Sequence, residues 1–306
     1  MISSNSHYEI GHSHRVCEDF ALHGEMSIPS PMAESQQFSY GIVCDGCSSS
    51  LIQNGIRLPL NVDTGARILA IMAKQSLREL LSMDMSPSHS PKTFFIGMQN
   101  TMVAKSGIIL NVLGLSTDVL DSTLVSVLAG KDFAWVGFWG DGVLAIKTKT
   151  QIILYIIEFE SGAPYYLSYS IDKNRREAYK TEFIGKNKTI KEVKINLPYQ
   201  IENVTTEIVS TDTADNPVFF DFTKKEIEER EIESISVLSD GLSTFRIGES
   251  DVRCERIISE LLDFKSLVGE FVVKRFNLAK KRIFEPENIT HYDDLAISTL
   301  LFKKDQ

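Results

Sequence analysis

Residues 123–159 read TLVSVLAGKDFAWVGFWGDGVLAIKTKTQIILYIIEF. Four apolar, β-branched and aromatic runs are separated only by Lys131-Asp132, by Asp141-Gly142 and by Thr148 to Thr150. Breaks this short permit hairpin turns and are too short for the crossover that a parallel pair requires, so consecutive antiparallel strands are expected. Outside this stretch the same signal recurs three times. Phe38 to Cys44 (FSYGIVC) is a short apolar run that ends on Asp45-Gly46, and Ser234 to Leu238 (SISVL) ends just before Asp240-Gly241. A final strand is expected from Leu295 to Phe302, directly after Asp293-Asp294. Each of these reads as a buried strand with a carboxylate at one end.

Helical periodicity lies between the strand signals. Ala66, Leu69, Ala70, Ala73, Leu77 and Leu80 recur at the spacing of one helix face, and Asp63 or Thr64 can cap that helix. A second helix is expected over Phe95 to Leu113, after a Ser/Pro-rich surface loop around Met85 to Pro91. Two more are expected at about Val252 to Leu262 and Leu267 to Lys280. Strands, helices and strands again, joined by hairpins, indicate an α+β fold with helices packed outside antiparallel sheets. Residues 161–233 are more polar, and read as a peripheral flap or an insertion within a single domain spanning 1–306. The run Lys224 to Glu233 (KKEIEEREIE) reads as a solvated helix.

With 306 residues, 43% of them hydrophobic, the chain can bury a substantial core. A formal charge of −9, from 41 acidic and 32 basic residues, lacks the basic footprint of a nucleic-acid binder or of a membrane-surface protein. No apolar run reaches the ~18–20 residues that span a bilayer, and the polar start from Met1 to Glu9 does not resemble a signal peptide. The four cysteines are too few and too unevenly placed for a disulfide framework. Together these features favour a cytoplasmic protein.

Glu18-Asp19, Asp45-Gly46, Asp240-Gly241 and Asp293-Asp294 share a context despite their separation in sequence. Asp-Gly is a common turn dipeptide, so each pair alone is compatible with an ordinary turn. Carboxylates converging at strand ends would repel one another and resist desolvation, and cations would relieve both costs. An all-oxygen ligand set suits magnesium or manganese better than zinc. Glycine after the aspartate lets the backbone approach such an ion closely.

The stretches CEDF, IVCDGCSSS, FWGDGVLAI, SVLSDGLSTF and HYDDLAIS, in this order from Cys17 to Ser298, resemble the signature of the metal-dependent protein phosphatases of type 2C. Gly11-His12-Ser13-His14, DTGARILA, DSTLVSVLAG and SGAPYYLSYSID are similar to a bacterial-type branch of that family. The resemblance implies a four-layer α-β-β-α sandwich with two central antiparallel sheets. It also implies a serine/threonine protein phosphatase that hydrolyses phosphomonoesters by attack of a water bridging two manganese or magnesium ions. Asp45 would then be the bridging carboxylate, with the Gly46 carbonyl on the second metal. Asp240 and Asp293 would complete the first metal site, Asp19 and Glu18 would orient waters on the second, and Asp141 would help hold a weaker third. Asp45, Asp240 and Asp293 are thus the expected catalytic set. Partners would be a phosphoserine or phosphothreonine protein and a cognate kinase or its target, with no nucleic acid and no membrane.

The chain also departs from the family pattern. Cys47 replaces the histidine that follows Asp-Gly in many relatives, so the group that protonates the leaving alkoxide is open. His14, with Arg15 beside it, occupies the place of the arginine that contacts substrate phosphate, and Thr244 stands where some relatives carry a further aspartate. Other readings use the same residues. Cys44-x-x-Cys47 has redox or zinc spacing, but there is no second pair, and Gln53 stands where a cysteine-dependent phosphatase needs arginine. His12-x-His14 could serve a zinc hydrolase, although His7 and His89 lie in segments read as flexible. Phe133, Trp135, Phe138 and Trp139 read as core. Two further alternatives are a catalytically silent phosphatase-like module that binds phosphoprotein or regulates a kinase, and a phosphatase for small phosphomonoesters.

Overall fold

The computed structural model describes residues 2–29, 35–47, 50–53, 56–59, 62–83 and 90–302. Two antiparallel sheets form its centre. The larger runs in the order Ile2–Glu9, Leu295–Phe302, Ser234–Leu238, Gly142–Lys147, Gln151–Phe159, Asn187–Asn196, Val204–Thr213. The smaller runs Val218–Thr223, Phe133–Trp139, Leu124–Ala129, Gln36–Cys44, Phe20–Ile28. All four expected strands are present, but only Leu124–Ala129 with Phe133–Trp139 and Gly142–Lys147 with Gln151–Phe159 pair as hairpins; the expected middle hairpin is not formed, because the Asp141-Gly142 connection passes from the smaller sheet to the larger.

Alternation within the strands builds the layers. Val125, Val127 and Ala129 face the inter-sheet core with Val43, Leu144, Ile146, Ile235, Val237 and Leu300. Leu124 and Leu128 point the other way, into the core shared with the helices Val62–Ser82 and Pro91–Leu113. On the far side Val143, Ala145 and Leu238 pack under the helices Cys254–Leu261 and Phe271–Ala279. Both faces of the central strands are therefore buried, which is why they read as continuous apolar runs. The result is the expected four-layer α-β-β-α sandwich.

Each helix has a local cause. All six periodic residues of the first helix are buried. The second starts on Ser90, whose Oγ accepts the Thr93 N–H at 3.3 Å, with Pro91 following, and ends on the left-handed Gly114. Phe271–Ala279 begins four residues later than the periodicity suggests, because Gly269 at φ +65° breaks the backbone there and leaves Leu267 and Val268 exposed. Lys224–Glu229 is exposed, with a Thr223–Glu226 capping box. Phe133, Trp135, Phe138 and Trp139 are buried, and the two indole N–H groups donate to Asp221 and Gln99. Most of the Met85–Pro91 loop, His89 included, lies outside the described residues.

The start of the chain is not flexible as the sequence suggested. Ile2–Glu9 pairs antiparallel with Leu295–Phe302 as an edge strand, and Asn5 Oδ1 accepts the Val272 N–H at 2.9 Å. An edge strand needs no apolar alternation when its partner supplies the hydrogen bonds, which is why polarity concealed it. Within 161–233, the strands Asn187–Asn196 and Val204–Thr213 extend one sheet and Val218–Thr223 extends the other. No described helix is long and apolar enough to cross a membrane.

Candidate active site

The register of the two sheets brings the separated aspartates to one end of the sandwich. Phe20, directly after Asp19, pairs with Cys44, directly before Asp45. Leu238 pairs with both Val143 and Ile297, which places Asp240, Asp141 and Asp293-Asp294 at neighbouring strand ends. Residues 45–47 run beside 121–123: Thr123 N–H donates to the Asp45 carbonyl and Cys47 N–H to the Asp121 carbonyl, both at 2.9 Å. Gly46 and Ser122 form a bridge between them.

Asp19, Asp45, Asp141 and Asp240 form one electrostatic group. Asp45 is hydrogen-bonded to Asp19 and to Asp240, and Ser239 donates to Asp19. Burial is the largest influence on each shifted member. It pushes the Asp19 carboxyl up to about 8 against its hydrogen bonds, helped by the charges of Asp294 and Asp240. Burial with the charges of Asp19 and Asp240 holds Asp45 well above the usual carboxylate range. Asp141 is raised to about 7 by burial and Asp240. Asp293, at 45% side-chain exposure, is raised by burial and by Asp240. Shared protons thus hold together carboxylates that would otherwise repel.

Asp294 organises the loops around this group. Only 2% exposed, it accepts from Gly11 N–H at 2.7 Å and Glu18 N–H at 2.5 Å, and pairs with His14 Nδ1 at 3.0 Å. His14 Nε2 lies 3.5 Å from Asp293 Oδ1. Burial opposes charge on His14, but the bond to Asp294 and the charges of Asp293 and Glu18 outweigh it and raise the imidazole pKa. His14 is therefore turned toward carboxylates, and Arg15 is exposed. Thr244 ties the neighbouring loops together: its Oγ accepts the Asp293 N–H at 3.1 Å and donates to the Gly241 carbonyl at 2.9 Å. A Cβ on Gly11 would overlap the Asp293 carbonyl, and one on Gly241 would overlap the Asp294 carbonyl oxygen. Both glycines are required by close approach rather than by turn geometry.

Sequence reasoning singled out Asp293 of the pair and gave no separate role to Asp294. The doubled aspartate was the available signal, but which of the two turns inward depends on register. Ser239, Asp121 and Tyr166 were also missed. Tyr166 is buried, hydrogen-bonded to Cys47 and close to Asp141 and Asp45, and burial first, then Cys47, keeps its phenol protonated. Cys44 is buried and the cysteines are free.

Among the described residues, no group of three or more His, Cys, Asp or Glu side chains is arranged to hold a metal ion. The donor chemistry nevertheless fits hard divalent cations. The group is all oxygen, its members are mutually repulsive, and Asp19 Oδ2 is buried without a hydrogen-bond partner among the described residues.

No protein-family model matches the sequence, and no curated protein matches it. Solved structures do. A bacterial serine phosphatase matches with a TM-score of 0.52 at 11% identity, with 100% of each chain covered. The serine/threonine phosphatase PstP/Ppp of Mycobacterium tuberculosis gives 0.50 at 12% identity, covering 99% of each chain. That of S. agalactiae gives 0.50 at 12%, covering 99% of this chain and 100% of the other. The fold is thus that of the bacterial type 2C serine/threonine phosphatases.

Proposed function

We propose that this chain is a metal-dependent serine/threonine protein phosphatase that hydrolyses phosphomonoesters with water as nucleophile, and that residues 1–306 act as one such domain. The observation that carries this reading is the convergence of Asp19, Asp45, Asp141 and Asp240 at the end of a phosphatase-type sandwich, Asp19 buried, the other three partly exposed, and Asp293 on the rim. Asp45, which neighbours both Asp19 and Asp240, would serve both cations, with the Gly46 carbonyl as a further ligand. Asp240 and Asp293 would complete one cation's ligands, Asp19 and Glu18 would serve the other, and Asp141 a weaker third. Two bound manganese or magnesium ions would supply an activated water near neutral pH and neutralise charge on the phosphoryl group. The protein's own part is to hold these carboxylates in register, which it does through Asp294, Ser239 and Thr244. Tyr166 O–H, kept protonated beside Cys47, is a donor at the edge of the site. The substrate would be a phosphoserine or phosphothreonine protein in the cytoplasm.

The test is hydrolysis of p-nitrophenyl phosphate and of a phosphothreonine peptide by the purified chain, in manganese, in magnesium and in chelator. Turnover in metal that disappears in chelator is the expected result. No turnover in either metal would overturn the reading in favour of a phosphoprotein-binding module.

Metal binding has its own signature in stability. Asp19 and Asp141 carry folded pKa values above their unfolded ones, so the stability they contribute is complete below about pH 4 and is lost as pH rises through about 7 to 8. The metal-free chain should therefore melt at a lower temperature at pH 8.5 than at pH 5.5. Manganese at a hundredfold excess over its Kd should restore about 2.7 kcal/mol, or roughly 5 °C, at the higher pH and much less at the lower. Thermal melts across this range in chelator and in manganese would show it, and a melt indifferent to manganese at pH 8.5 would count against the cation site.

A further inference from the structure

We infer that the outer face of the two helices Val62–Ser82 and Pro91–Leu113 is a docking surface for an acidic amphipathic helix of a partner protein. The surface belongs to the outer helical layer, and its occupation can be measured without turnover.

The two helices lie side by side at a fixed register. Lys105 Nζ is 2.5 Å from Glu79 Oε1 across their seam, and Ser106 Oγ donates to Met72 Sδ at 3.9 Å beneath it. Positions three, four, seven or eight residues from a contact share its helix face, so Ile108 and Val112 on one helix and Gln75 and Ile71 on the other flank this seam. Ile71, Ile108 and Val112 are 49%, 67% and 77% exposed, and Met83, just past the first helix, is 70% exposed. Single apolar side chains at a surface are ordinary, whereas these share one face. From Thr93 to Leu115 the sole charge is Lys105, which Glu79 neutralises. The second helix therefore lacks the charged outer side that normally solvates a surface helix.

The first helix supplies the charge. Lys74 and Arg78 are exposed on its outer side, and neither has an ion-pair partner among the described residues. Beside Arg78 lies an open depression of about 530 Å³ lined by Gln75, Arg78, Glu79, Ser82 and Met83. In a chain of formal charge −9, an apolar strip flanked by two uncompensated cations is complementary to an apolar surface edged with carboxylates. This complementarity selects among occupants. A second copy would bring its own Lys74 and Arg78 to the same face, where the Glu79 carboxylate is already taken by Lys105. An anionic bilayer would repel the acidic chain, and neither helix contains a tryptophan or tyrosine to sit among headgroups. A helix with leucines on one side and glutamates at its flanks satisfies both halves of the face. The 21- and 23-residue helices are about 31–35 Å long, which seats a partner helix of some twenty residues in a contact of the small, transient kind.

The test is fluorescence anisotropy of a labelled 21-residue peptide, with leucines at heptad spacing, glutamates flanking them and alanine elsewhere, titrated with the full chain. A Kd of about 10 μM is expected at low salt. It should rise at least tenfold when lysines replace the glutamates, in Ile108→Asp/Val112→Asp, and in Lys74→Glu/Arg78→Glu, with thermal melts showing that each variant is folded. Lys281→Glu, which alters an exposed cation on the opposite helical layer, should leave the Kd within twofold. Equal binding of the two peptides, binding unchanged in both double variants, or a Kd above about 1 mM would overturn the inference. So would sedimentation of the chain as a dimer that Ile108→Asp/Val112→Asp dissociates, which assigns the face to a second copy. Retention on phosphatidylserine vesicles that Lys74→Glu/Arg78→Glu abolishes would assign it to lipid and overturn the inference equally.

Discussion

Asp45→Asn is expected to lower turnover of p-nitrophenyl phosphate by about a thousandfold or more, equivalent to about 4 kcal/mol of transition-state stabilisation, without unfolding the chain. Asp240→Asn should behave alike. The carboxamide keeps the size of the side chain and its ability to hydrogen-bond, but it cannot carry the charge that two cations would share. In the metal-free protein the same change removes one member of a repelling group, since Asp45 lies beside Asp19, Asp240 and Asp141 and burial already opposes its ionisation. The variant should therefore melt at least as high as the parent in chelator at pH 8.5, and should lose the stabilisation that manganese gives. Loss of activity with retained stability separates a ligand from a structural residue. Full activity in either variant would sink the site assignment.

The reverse pattern is expected one residue beyond Asp293. Asp294→Ala should destabilise the chain by about 3–5 kcal/mol, because it removes an acceptor for two main-chain donors and the partner of a half-buried imidazole. Its effect on turnover would be indirect. Gly11, His14 and Glu18 are all anchored on Asp294, and Asp19 follows Glu18 directly, so release of this loop displaces a buried carboxylate of the cluster. Urea unfolding followed by tryptophan fluorescence is a suitable measurement, with Trp135 and Trp139 buried in the core. A loss below about 1 kcal/mol would mean that the loop is held by other contacts, chiefly the His12 N–H and Ser13 N–H bonds to the His291 and Tyr292 carbonyls.

Much of the architecture was legible in local pattern. Apolar runs with two- or three-residue breaks and a six-residue helix face report short-range physics, and those strands and that helix lie where the signals put them, whereas the second helix starts at Pro91, inside the stretch read as a surface loop, and Phe271–Ala279 starts four residues later than expected. Two kinds of element were hidden. Ile2–Glu9 is polar and becomes a strand only because Leu295–Phe302 offers it an open edge. Within 161–233, Val204–Thr213 and Val218–Thr223 lie at sheet edges, while Asn187–Asn196 is paired on both sides and buries Lys188 and Glu192 alongside Ile190, Val193 and Ile195, so its inward face does not read as apolar.

The candidate site divides in the same way. Sequence by itself determined which residue types could meet a cation: aspartates at the ends of apolar strands, followed by glycine, with no thiol or imidazole set to compete. That much follows from chain-local rules about where strands stop and what a buried carboxylate needs. Only the tertiary structure decided that Asp294 rather than Asp293 turns inward to anchor the loop, that His14 faces carboxylates, and that Asp121, Ser239 and Tyr166 border the cluster. Those outcomes depend on sheet register and on contacts between residues up to 283 positions apart, such as Gly11 with Asp294. Side-chain alternation makes a one-residue difference in register reverse the face on which each carboxylate lies, and no local pattern carries that information.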